Sequence, residues 1–156
     1  MIKKILACTL GLMLSAPAIA ETTPTTGEEW TIRKGLRFGY TYANKAEQSE
    51  RLASPHMFVM GFEMQETMAG GDWLDLLFIQ NVVVSGLEQS VIIPTVNVLV
   101  GFEINNALQV GVGANAGIVD PSEENHFVHL VSAIGWTQQA GAFSVPIHVV
   151  FIPDIN

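Results

Sequence analysis

The 156-residue sequence predicts an all-β chain. The fold class is an antiparallel up-and-down transmembrane β-barrel of about eight strands, of which seven can be read directly. Three observations carry that prediction. The first is a clean period of two. In NVLVGFEINNALQVGVGANAG, residues 97–117, Val98, Val100, Phe102 and Ile104 share one parity and Asn97, Leu99, Gly101 and Glu103 the other. After Asn105-Asn106-Ala107 the alternation restarts with Leu108, Val110, Val112, Ala114 and Ala116. A period of two means strand, and two such runs across a short Asn-rich break mean a hairpin. The second is the recurrence of such runs, each about ten residues long and separated by turn signals, in meander order. The third is charge. The basic residues are Lys3, Lys4, Arg33, Lys34, Arg37, Lys45 and Arg51, with none after Arg51, while the net charge is -8. A water-soluble domain scatters both signs over its surface. A base-free stretch this long points to a surface that meets something other than water, and it excludes a nucleic-acid patch.

Residues 1–20 read as a secretory signal peptide. Lys3 and Lys4 form the positive region, an apolar run follows, and Ala18-Ile19-Ala20 is a small-x-small cleavage site. The run is too short to span a bilayer as a helix. Cys8 lies inside it with too few residues ahead of it for a lipoprotein signal, so the chain from Glu21 onward carries no cysteine and no disulfide framework. Residues 21–29 form a polar, flexible leader, and residues 30–156 form the barrel domain.

The first predicted strand is 30–43, with Leu36, Phe38, Tyr40 and Tyr42 on one face and Arg37, Gly39 and Thr41 on the other. A polar loop leads to 56–66, where Phe58, Met60, Phe62 and Met64 oppose Val59, Gly61, Glu63 and Gln65. TMAGGD reads as a turn. Residues 73–85 have helical spacing at some apolar positions, but Val82-Val83-Val84 favours a strand. Strands at 91–104 and 108–118 follow, then an acidic loop with Asp120, Glu123 and Glu124. The last two strands are 126–137 and 142–152, with QQAG as the turn between them. Two loops, before 56 and before 126, are longer and polar; turns alternate with them, which puts the short connections at the periplasmic end.

The two faces differ in kind. One is Val, Ile, Leu, Phe and Met, as contact with acyl chains requires. The other is mostly Gly, Asn, Gln, Thr and Ala, which suits a crowded polar lumen. A soluble barrel would reverse this, with an apolar interior and a charged exterior. Aromatic residues near strand ends on the apolar face, Tyr42, Phe102, Trp136 and Phe143, sit where an interfacial girdle belongs.

Through this pattern, and with no sharp motif, residues 30–152 resemble the small outer-membrane β-barrel proteins of Gram-negative bacteria. The resemblance implies an outer-membrane location, contact with lipid and lipopolysaccharide, and insertion by the barrel-assembly machinery. One departure stands out. Bacterial single-chain barrels have even strand numbers, and this chain reads one strand short, for which loss of a C-terminal strand is the favoured explanation.

Arg37, Glu63, Glu103 and Gln109 face the proposed lumen toward its periplasmic end and read as an ion-pair layer that fills it. Arg37 reads as the only basic side chain there. Asn97, Asn115, His129 and His148 read as a polar lumen cluster in the outer half, without a third ligand for a metal. Some small outer-membrane barrels are lipid A acyl-chain hydrolases. Here, however, His126 and Ser132 fall on the lipid-facing parity and the His-x-Ser-Asn pattern of those enzymes is missing. The expectation is a non-enzymatic barrel, structural or weakly pore-forming, with no cofactor and no metal. The alternatives are a soluble periplasmic lipocalin-like ligand-binding barrel and, less favoured, a lipid A-modifying hydrolase.

Overall fold

The computed structural model describes residues 9–15, 18–22, 31–43, 52–117, 128–140 and 143–153. The described residues form antiparallel strands, with a 3-10 turn at Leu87–Gln89. The strands are β1 Thr9–Ser15, β2 Ala18–Thr22, β3 Thr31–Ala43, β4 His56–Gly70, β5 Leu74–Ser85, β6 Ile93–Ile104, β7 Leu108–Gly117, β8 Val128–Ala140 and β9 Phe143–Ile152. The seven long strands β3 to β9 pair in chain order, each with its sequence neighbour. This is the up-and-down meander that the sequence predicts.

The position beside β3 and β9 is where the sequence reading lacks a strand. β1 and β2 lie end to end there. β1 pairs with β3, Gly11 opposite Thr41, and with β9, Met13 opposite His148. β2 pairs with the start of β3 and the start of β9. The chain of pairings therefore returns on itself, and neither β3 nor β9 is left as a free edge where these segments lie.

The strand pattern from the sequence needs correction at its ends. The second predicted strand, 56–66, extends to Gly70. Thr67–Gly70, read as a turn, pairs with Asp75–Leu77, and a register shift between Thr67 and Ala69 absorbs the extra residue. The reversal comes later, where the Gly71 amide donates to the Leu74 carbonyl at 3.1 Å. Predicted strand 126–137 likewise runs on to Ala140, because Gln138 and Gln139 pair through their backbones with Val145 and Ser144. Predicted strand 91–104 starts at Ile93. Ser90 ahead of it has φ 59, which ends the 3-10 turn rather than beginning a strand.

Segment 73–85, ambiguous in sequence, is a strand. Leu77, Ile79, Asn81, Val83 and Ser85 are buried on one parity, which a helix could not arrange. At the hairpin between β6 and β7, Asn105 and Asn106 have φ 52 and 53, and the Ala107 amide donates to the Ile104 carbonyl. Positive φ at both central residues is the type I′ geometry that matches strand twist, and Asn tolerates it better than any other residue with a Cβ.

Burial follows the alternation. In β4 the inward Met57, Val59, Glu63 and Gln65 are buried while Phe58, Met60 and Phe62 are exposed. In β6 the inward Asn97, Leu99, Gly101 and Glu103 are buried while Val96, Val98, Val100 and Phe102 are exposed. Among the described residues the buried set holds twelve polar or charged side chains against eight hydrophobic ones. An ordinary soluble core has the opposite balance.

Candidate functional site

The chemistry-bearing side chains converge on the interior. At the hairpin-turn end, Glu103 and Gln109 stand opposite each other on β6 and β7. The Gln109 amide nitrogen donates to Glu103 and also to Thr137 Oγ1 at 3.0 Å. Arg33 Nη2 donates to Glu103 Oε2 at 2.8 Å. Next to this tier Arg37 Nη1 pairs with Glu63. Arg37 is 3 % exposed and Glu63 5 %. A buried guanidinium without a carboxylate would be costly, so each arginine is matched by one acid.

The four residues of the expected ion-pair layer are placed as follows. Arg37, Glu63, Glu103 and Gln109 are all buried, yet they form two pairs rather than one cluster. Arg37 is also not the only basic group inside, because Arg33 supplies the partner of Glu103. The signal was available, since Arg33 and Arg37 share strand parity.

A second row crosses the sheet. Register places Glu63, Asn81, Asn97, Asn115 and His129 opposite one another on β4 to β8. Asn115 Nδ2 donates to Asn97 Oδ1, and Asn97 Nδ2 donates to Asn81 Oδ1 at 2.5 Å. Each buried amide thus satisfies the next. Asn81 was missed in sequence because its segment was too ambiguous to assign faces.

His148 does not belong to that row. It pairs across β9 and β8 with Gly135, whereas His129 pairs with Asn115, six positions away along β8. The predicted cluster of Asn97, Asn115, His129 and His148 is thus split by strand stagger. His148 Nε2 lies 2.6 Å from Gln109 Oε1. Gln109 Nε2 faces a carboxylate, which only accepts, so Gln109 Oε1 must be the atom that faces the histidine. His148 then carries its proton on Nε2 and donates it to Gln109. Gly135 makes this reach possible, for a Cβ there would overlap the His148 ring.

At the loop end the interior turns apolar. A cavity of about 160 Å³ opens there, with Val59, Ile79, Val83, Leu99, Val131 and Val150 among its walls and Arg37, Glu63, Thr41, His148 and the Asn81–Asn97–Asn115 row on its polar side. Arg37 Nε, Thr41 Oγ1 and His148 Nδ1 are buried and have no hydrogen-bond partner.

On the outer face Tyr42, Phe102 and Trp136 are exposed, Tyr42 and Phe102 close to the ends of β3 and β6 and Trp136 within β8, opposite Leu108. Tyr42 packs on His56, ring centroids 5.1 Å apart. Phe143 lies in β9, but its side chain falls outside the described residues, as do His126, Asp120, Glu123 and Glu124. Ser132 lies on the parity of Leu130 and Ile134, with Oγ 3.5 Å from the Phe151 carbonyl. Among the described residues no group of three His, Cys, Asp or Glu is placed to hold a metal ion. Comparison with protein-family models, curated proteins and solved structures found no match.

Proposed function

We propose that this chain is an integral outer-membrane β-barrel protein with an occluded lumen, structural rather than enzymatic. The observation that carries the reading is the inverted distribution of polarity. Leu36, Tyr40, Phe62, Val100, Val112, Leu130, Ile134 and Phe151 are all exposed on the outer face. Arg37, Glu63, Glu103 and His148 are among the buried residues. Monomeric soluble proteins rarely expose an apolar surface this continuous, whereas acyl chains demand one. No helix of the described residues is long and apolar enough to cross a membrane, so crossing would fall to the strands.

In this reading residues 1–20 direct export. The barrel-assembly machinery inserts the strands, and lipid with lipopolysaccharide covers the apolar face. The two ion pairs and the Gln109 bridge obstruct the lumen, so conductance is low. The competing reading is a soluble periplasmic lipocalin-like barrel, for which the loop-end cavity speaks. Fractionation of expressing cells, with gel mobility compared before and after boiling, separates the two. Outer-membrane recovery with a heat-dependent shift is the expected result. Recovery in the soluble periplasm would overturn the proposal.

A further inference from the structure

We propose that the slot between β3 and β9 is an acceptor for one extended strand of a second polypeptide, apolar at every second residue and uncharged between. The inference rests on the reading of residues 1–20 as an export signal that is removed, because in the full chain residues 9–15 and 18–22 lie in that slot.

Direction sets the first condition. In an up-and-down meander of seven strands the first and the last run the same way. β3 and β9 are accordingly both antiparallel to β1, and so parallel to each other. Joining them directly would need a parallel pair in a sheet whose other pairings are antiparallel. One inserted strand, antiparallel to both, removes the mismatch and makes the count even. Strand addition to an open edge is a common mode of peptide recognition, with main-chain hydrogen bonds giving the affinity. Here the guest meets two edges at once.

Register sets the second condition. Leu10 stands opposite Tyr42 and Phe151, Leu12 opposite Tyr40 and Val149, and Leu14 opposite Phe38 and Ile147. Cross-strand neighbours share a face. Tyr40, Tyr42, Ile147, Val149 and Phe151 are exposed on the outer side, so the guest needs apolar residues at these positions. Between them, Gly11 stands opposite Thr41 and Val150, and Ser15 opposite Arg37. Thr41, Val150 and Arg37 are buried. Arg37 already has Glu63 as its partner, so a charge on the guest here would be buried without a counter-ion.

The leader fits the slot imperfectly, which points to a different guest. From Ser15 to Ile19 it advances four residues while β3 advances three, from Arg37 to Lys34. From Leu14 to Ala18 it again advances four while β9 advances three, from Ile147 to Ser144. The same single excess residue is present against both edges. Gly35 and Leu36 of β3 have no partner among the described residues of β1 and β2. The sequence at this point is Ala16-Pro17, and proline brings no amide to a ladder. A strand one residue shorter, without the proline, pairs with both edges uninterrupted.

The test is disulfide cross-linking of the exported protein, its mass measured first. Residues 21–156 contain no cysteine, so single cysteines report cleanly. The probe is a synthetic peptide of residues 9–22 carrying Leu12→Cys, present while the protein refolds in detergent. Tyr40→Cys and Val149→Cys lie opposite Leu12 on the two edges. Cα atoms of opposed residues are about 4.5–5.5 Å apart, within disulfide range. Both variants should form the adduct. Leu36→Cys and Val145→Cys, four positions away along the same strands, should form about ten-fold less. A competing peptide that lacks Pro17 should displace the probe about five-fold better than one that keeps it, the scale of one regained hydrogen bond. Adduct with one edge only, equal adduct at the displaced cysteines, or no gain from removing Pro17 would overturn the inference. So would an exported protein that retains residues 9–22, which fills the slot in cis and leaves outer-membrane recovery untouched. Recovery in the soluble periplasm would instead overturn the membrane reading, and the same cross-linking without detergent still decides on the slot.

Discussion

At the scale of single residues, the interior is a set of matched polar groups whose removal should be felt one partner at a time. Arg37→Met would leave the Glu63 carboxylate buried beside the Asn81–Asn97–Asn115 row without its guanidinium. Breaking one side of a buried pair costs about 3–5 kcal/mol. The double change Arg37→Met with Glu63→Leu should recover most of that, because a hydrophobic replacement of both is close to neutral. Urea unfolding of the refolded single and double variants would measure the difference. Equal loss in both would mean that the pair is not what holds the layer. Gly135→Ala makes the complementary point with one methyl. The added Cβ collides with the His148 ring, so the donor to Gln109 is displaced. A loss of about 1–3 kcal/mol is expected for a buried acceptor left unmatched. Loss of the nitrogen-15 signature of an Nε2-protonated His148 should accompany it, a change that a merely loosened strand would not give.

At the scale of elements, alternation fixes which face each residue takes, and turn chemistry fixes where strands reverse. That is why most of the sheet was legible. The hairpin at Asn105-Asn106 and the faces of β3, β4, β6 and β7 follow from parity and turn residues alone. The extension of β4 through Thr67–Gly70 was not legible, because a bulge reads locally as a turn. The separation of His129 from His148 was hidden too, since stagger between β8 and β9 is set by pairing and not by composition. Loop contacts are also invisible to periodicity. The 3-10 turn at Leu87–Gln89 clasps the start of β4. Gln89 Oε1 accepts from the Ser54 amide at 2.9 Å, and its Nε2 donates to the His56 carbonyl at 2.7 Å. Beside it Glu88 accepts from the Phe58 amide at 3.2 Å. Hydrogen bonds from its own amide and from that of Phe58 hold the Glu88 carboxyl below its ordinary value of 4.5. A depressed folded value means that this contribution is present above the ordinary carboxylate range and is lost as pH falls through the depressed one. Hydrogen exchange at the Phe58 amide should therefore rise on acidification beyond the intrinsic trend. In Glu88→Gln that rise should be absent. An acid response unchanged in Glu88→Gln would remove this carboxylate from the clasp. On the outer face of β7, Val112→Arg places a charge amid Val100, Val110 and Ile134. In a bilayer it should cost about 2–4 kcal/mol near the midplane, read as lost heat-shifted product in lipid vesicles. An unaffected yield would count against lipid on that face.

At the scale of the whole molecule, one segment is claimed by two readings that conflict. Residues 1–20 have the charge, apolar run and small-residue site of an export signal. Residues 9–15 and 18–22 also occupy the place between β3 and β9. The sequence reading expected seven strands and a missing C-terminal one. It had no means to weigh the leader as a strand, because an apolar run of this kind is shared by signal peptides and buried strands alike. Cleavage after Ala20 would take all of β1 and leave only Glu21–Thr22 of β2. The facing edges of β3 and β9 would then present unpaired amides and carbonyls, and each such group in hydrocarbon costs several kcal/mol. Seven strands are also an odd number, against the even count of bacterial single-chain barrels. The full chain should therefore refold in detergent to a heat-modifiable form, and a chain of residues 21–156 should not. A synthetic peptide of residues 9–22 added in trans should restore the shift if pairing with both edges is what closes the sheet. A chain of 21–156 that shifts alone would mean that β3 and β9 meet without help. If that chain fails and the exported protein has the mass of residues 21–156, the closing strand in the membrane must come from a second polypeptide.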